Sequence, residues 1–176
     1  MAAALSELRS KEWLATVFDR DVDAAFHVAA WIVWNTADAQ DVVQTAFVRA
    51  ARNVDQLRDP GKVRAWLLRI TYHEALAVLR RRARPHRSRR PRAGDLRDPG
   101  PEELVMAGER ARIVRDAIQA LPVRLRVAFV LRDVEELPMA DVAAVLDIGE
   151  SAAKMRVSRA RESLRVALAG EVRHDL

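Results

Sequence analysis

No cysteine occurs in the 176 residues, so a disulfide framework and a thiolate metal site are both excluded. Lysine is nearly missing as well: Lys11, Lys62 and Lys154 are the only three, and arginine supplies the rest of the 30 basic residues. Aromatic residues are few, with four Trp, four Phe and one Tyr. The longest stretch without formal charge runs from about Ala24 to Thr36, too short to span a bilayer. Met1-Ala2-Ala3-Ala4 has no basic segment leading into an apolar run, so the expectation is a soluble, cytoplasmic protein with no membrane insertion. Glycine-rich phosphate loops are absent, and the length rules out a large multidomain enzyme.

What is present is charge in an uneven distribution. The net charge is +5, yet eight arginines fall between Arg80 and Arg92 with no acid among them. Without that segment 22 basic residues face 25 acidic ones, so the remainder is slightly acidic. The basic character therefore has an address, and polyanion attraction is its physical consequence.

Apolar residues recur at helical spacing almost throughout, and no alternating β-branched run reads as a strand, which predicts an all-α chain. Asp38 to Asp41 opens a helix whose buried face is Val43, Phe47, Ala50 and Val54. After Arg58-Asp59-Pro60-Gly61 a long helix starts at Lys62 and runs into Arg80-Arg81-Arg82. Pro85 to Pro101 holds four of the seven prolines and reads as a flexible linker. The expected organisation is two small helical domains, 1–84 and 102–176, joined by residues 85–101.

In the second domain, Met139–Leu146, a tight turn at Asp147-Ile148-Gly149 and a helix from Glu150 to about Ala169 have helix-turn-helix spacing. Ala153, Val157, Ala160 and Leu164 form its buried stripe, with Ser151, Met155, Ser158 and Arg165 opposite. Lys154 and Arg161 flank that exposed face on one side, Arg156 and Arg159 on the other. Such a helix places side chains for base edges between guanidiniums for phosphates. In the first domain Lys62, Arg69, His73 and Arg80 share about a 40° arc, beside the apolar face with Trp66 and Ile70.

Three stretches resemble the extracytoplasmic-function group of bacterial RNA polymerase sigma factors. Asp38 to Ala50 looks like that family's polymerase-binding helix, Val63 to Arg82 like its minus-10-reading helix, and Ala120-Leu121-Pro122, Val130 to Glu135 and Lys154 to Arg161 like its minus-35 domain. The resemblance implies that Asp41, Gln44 and Thr45 dock on core polymerase. It implies that Arg58, in the loop before the long helix, with Lys62, Arg69, His73, Arg80 and Arg81, meets the melted minus-10 strand. It further implies that Ser151, Lys154, Met155, Arg156, Ser158, Arg159 and Arg161 meet the minus-35 element. Thr45 stands where the family usually has glutamate, His73 where it has asparagine, Ala77 where it has aspartate, and Ser151-Ala152-Ala153 where it has Gly-Thr-Val.

Enzyme constellations fail. Asp19 to Asp23 opens like a calcium loop, but Ala24 replaces the sharp-turn glycine and Ala30 the bidentate glutamate. His73-Glu74 lacks a second histidine at 77, so no zinc-protease helix exists. The reading is a non-enzymatic initiation factor without cofactors, with core RNA polymerase and promoter DNA as partners and an anti-sigma factor as a further one. The rival is a stand-alone helix-turn-helix regulator that binds duplex DNA without polymerase.

Overall fold

A computed structural model describes residues 11–83 and 109–171, and those residues are helical with no strand among them. The all-α expectation holds; the linker expectation falls outside the described residues. Helix α1 (Lys11–Val33) is buried along Ala25, Val28, Ala29 and Ile32 and packs on both following helices. It stops at Trp34, whose φ of 51° is left-handed and unusual for a large side chain. The next residue, Asn35, then starts α2 (Thr36–Arg52) by accepting the Asp38 amide at 2.8 Å.

Helix α2 buries Ala39, Val42, Val43, Ala46 and Ala50, while Phe47 is half-buried. The loop after it is ordered locally: Asp59 accepts the Gly61 amide at 2.8 Å and opens a single 3₁₀ turn, Pro60–Lys62. Helix α3 (Val63–Arg82) ends before Pro85, as the sequence leads one to expect. Its burial is wider than one stripe, because Ala65, Leu68, Tyr72 and Ala75 are buried as well as Val63 and Leu67. The cause is position: α3 is packed on α1 and α2 and, on another side, by the second domain.

That second domain comprises α4 (Glu109–Ala120), α5 (Val123–Phe129), α6 (Met139–Leu146) and α7 (Glu150–Glu171). Beyond Phe129 the helix widens into one π-type turn, Val130–Val134, closed by the Glu135 amide on the Val130 carbonyl at 2.9 Å. Buried side chains form one continuous core from Val28 and Ile32 of α1 through Leu131 and Val142 to Leu164 of α7. A second cluster, Val17, Ala50, Val54, Leu57, Val63 and Leu67, closes the far end of the first domain.

Candidate nucleic-acid interface

The turn between α6 and α7 is built by two hydrogen bonds. The Ile148 amide donates to the Ala143 carbonyl at 3.1 Å and the Asp147 amide to Ala144 at 3.4 Å. This pairing is a Schellman closure, with Asp147 at φ 55° in the position glycine usually takes. Ile148 packs against the core, so the angle between the helices is held by apolar contact as well.

Helix α7 buries Ala153, Val157, Ala160 and Leu164, and exposes Ser151, Met155, Ser158 and Arg165 on the other side. The basic residues beside that face differ in availability. Lys154 pairs with Glu150 at 2.7 Å. Arg161 forks onto Asp133 at 2.5 and 3.2 Å, a hydrogen-bonded pairing that raises its already high pKa. Arg165 forks onto Glu162 in the same way. Arg156 and Arg159 make no ion pair among the described residues, which leaves their guanidiniums open to an external anion. A cleft of about 560 Å³ lies along the helix, lined by Met139, Lys154, Ser158 and Arg161 among others. Spaced guanidiniums around small polar and thioether side chains suit a phosphate-flanked base edge.

On the first domain the arc of Lys62, Arg69, His73 and Arg80 is exposed, with the His73 ring 5.3 Å from that of Tyr72. Arg58 in the loop and Arg81 at the end of α3 are exposed too. Two members of the arc are engaged by the other domain. Lys62 Nζ donates to Asp141 Oδ1 at 2.8 Å, which raises the lysine pKa, and Arg69 Nη2 donates to Asp147 Oδ1 at 2.9 Å. Arg82 is consumed within the first domain, on the Val33 carbonyl at 2.8 Å and on Asp38.

Asp41, Gln44 and Thr45 are exposed on α2, within the two turns before Val48. There the surface turns apolar: Phe18 and Val48 are 41% and 44% exposed. They line a groove of about 440 Å³ with Trp13, Phe47 and Trp66. The sequence reading did not single out this groove. Its signal was available, since Phe18 and Val48 break the polar face of their helices.

Sequence reasoning also missed a polar junction between the domains. Glu135, 6% exposed, accepts from Arg64 at 2.8 Å and lies 2.7 Å from His27 Nδ1. Arg64 reaches on to Asp21 at 3.9 Å. Buried Arg126 donates to the Trp31, Gln119 and Leu121 carbonyls at 2.9 to 3.0 Å, and burial lowers its pKa to about 10. It therefore stays charged at neutral pH. No group of His, Asp and Glu among the described residues is arranged to hold a metal ion. No helix among them is long and apolar enough to cross a membrane.

Residues 17–85 match the family model for sigma-70 region 2, and residues 111–164 the model for sigma-70 region 4. The chain is 32% identical over 150 residues to the ECF RNA polymerase sigma factor SigE of Mycolicibacterium smegmatis, covering 84% of this chain and 58% of that protein. Over 144 residues it is 32% identical to the ECF RNA polymerase sigma-E factor of Escherichia coli K12, covering 73% of each. It thus spans little more than half the length of the first relative and about three quarters of the second. Among solved structures, the sigma factor RpoE in complex with the anti-sigma factor NepR from Bartonella quintana superposes with a TM-score of 0.72 at 20% identity, covering 91% of this chain and 98% of that one. CnrH in complex with the cytosolic domain of CnrY superposes with a TM-score of 0.69 at 25% identity, covering 94% and 95%.

Proposed function

The chain belongs to the extracytoplasmic-function RNA polymerase sigma factors, and from that premise we propose that it directs core RNA polymerase to a specific set of promoters. Residues 1–84 act as the polymerase-binding and minus-10 domain, 85–101 as the linker and 102–176 as the minus-35 domain. Asp41, Gln44 and Thr45 form the polar part of the polymerase contact. Arg58, Lys62, Arg69, His73, Arg80 and Arg81 track the melted minus-10 strand, where extruding a base costs a few kcal/mol that the correct base repays. Ser151, Lys154, Met155, Arg156, Ser158, Arg159 and Arg161 meet the minus-35 duplex. An anti-sigma factor, of the kind seen with the two structural neighbours, is the expected negative regulator. The protein works in the cytoplasm by contact, with no covalent chemistry and no cofactor.

One observation carries this reading: the closed helix-turn-helix presents Met155, Ser158 and Arg159, which has no ion pair among the described residues, on the exposed side of α7 away from its buried stripe. Two weak DNA sites on one chain gain from effective concentration once both are held on polymerase. The test is reconstitution with core polymerase on a promoter identified by sequencing transcripts induced on overexpression. Run-off transcript should appear only with the protein present. Failure to comigrate with core enzyme, together with a footprint by the protein alone, would overturn the proposal in favour of a stand-alone regulator.

A further inference from the structure

The groove in the first domain is a pocket with one charge at its mouth. Its floor is Val17, Ala50, Val63 and Leu67, all buried, where the starts of α1 and α3 meet the end of α2. Trp13, Phe47 and Trp66 pack on that floor as aromatic walls. Among the described lining residues only Asp19 carries a charge, and its carboxylate makes no ion pair among the described residues. The adjacent cation, Arg20, is spent on Asp21 at 2.6 Å. Asp23 follows Asp19 at i+4 and also has no ion pair among the described residues, so two like charges repel along one face of α1 and a cation relieves both.

We infer that this groove is a binding site for an amphiphilic organic cation, a small molecule with an apolar body and one cationic head. The body replaces water against apolar walls, which is the favourable part of the exchange. The head meets Asp19 and the aromatic walls: ring quadrupoles attract a cation, indole most strongly, and low-dielectric walls concentrate the field of the carboxylate. A protein partner anchored in the groove is the poorer match. Phe18 and Val48 are the only large apolar side chains that the described part of the first domain exposes, too little for the core of a contact that buries roughly 800 Å² per partner. The volume of about 440 Å³ falls instead in the range of small-molecule pockets. Val48 follows Thr45 and Gln44 at i+3 and i+4 on one face of α2. A seated ligand therefore stands at the edge of the polymerase contact and competes with it, a consequence that rests on the reading of α2 as the polymerase-binding helix.

The experiment uses the full chain and matched probes that share a hexylphenyl body: hexylbenzyltrimethylammonium, hexylbenzyl alcohol and hexylbenzenesulfonate, each below its micelle threshold. Calorimetry should give the cation an affinity about tenfold above the alcohol, with the sulfonate weakest. In nuclear magnetic resonance spectra the indole signals of Trp13 and Trp66 should shift while those of Trp31 and Trp34, in the other core, stay in place. Asp19→Asn, at an exposed position, should bring the cation within about twofold of the alcohol. Ala51→Phe, at an exposed lining position, should abolish binding of both. Equal affinity for all the probes, or indole shifts at Trp31 and Trp34 alone, would overturn the site. So would a dimer in sedimentation that Ala51→Phe disperses, because a second copy then fills the groove. Saturating cation should lower retention of core polymerase about fivefold or more. Tight binding of the probe with undiminished retention would uphold the site and overturn the placing of Val48 at the polymerase contact.

Discussion

Arg126 and Trp31 join the two halves of the chain: the buried guanidinium of the second domain donates to the Trp31 carbonyl in the last turn of α1 at 3.0 Å. Carbonyls at a helix C-terminus have no partner within the helix, and a cation there satisfies one and meets the negative end of the dipole. The same guanidinium lies 5.4 Å from the centre of the Trp34 ring, and Trp34 stacks edge-on against Trp31 at 5.3 Å. One side chain thus holds the exit of α1, the left-handed Trp34 and the α4–α5 corner.

Replacing Arg126 with Met keeps the length of the side chain and removes three hydrogen bonds from a buried site. The expected loss is about 3 kcal/mol, measured by urea denaturation followed by tryptophan fluorescence. A change below about 0.5 kcal/mol would mean the guanidinium is not needed to join the domains.

Arg159 and Arg161 are two residues apart and differ in whether they are free. Arg159→Ala should cost promoter-specific transcription about tenfold or more, within the range of a lost bidentate base contact. Arg161→Ala should cost less on DNA, because its fork is already spent on Asp133. Equal losses in a run-off assay with reconstituted holoenzyme would show that the Asp133 pair gives way on binding.

The end of α3 makes a similar distinction. Neutralising Arg80 and Arg81 should lower the salt dependence of promoter binding by one to two units of slope, following about 0.7–0.9 per phosphate contact. Arg82→Ala should leave the slope unchanged and lower stability instead, since its partners are Val33 and Asp38.

The apolar groove beside α2 bears on polymerase binding. Phe18 and Phe47 meet edge to face with centroids 4.2 Å apart, and Val48 stands exposed at the rim beyond Thr45. Val48→Asp should weaken retention of core polymerase about tenfold and leave the melting temperature within about 2 °C, because an exposed site loses no packing. Retention at the wild-type level would confine the docking surface to Asp41, Gln44 and Thr45.

Local rules made much of this protein legible. The i, i+3, i+4 pattern marked Ala153, Val157, Ala160 and Leu164 as one stripe, and all four are buried. Asp147 was readable as a left-handed residue, because a short polar side chain tolerates that conformation where a helix must stop and turn. Helix periodicity likewise placed Met139–Leu146, and the proline at 85 placed the stop of α3 before it. Such features depend on neighbours within about five residues, and the sequence states those directly.

The tertiary structure decided which charges are free. Lys62, Arg69 and Arg80 share one face of α3 by spacing alone, yet only the fold brings Asp141 and Asp147, from more than 70 positions away, onto the first two. Trp34 could not be read as left-handed either, since no local preference puts a bulky ring there and Arg126 and Trp31 now brace it. The sequence by itself determined the helices, the buried stripe of α7 and the positions of the basic residues on each helix. Which cations remain unpaired was settled only by packing, because an ion pair is a property of two surfaces and the chain specifies each of them separately.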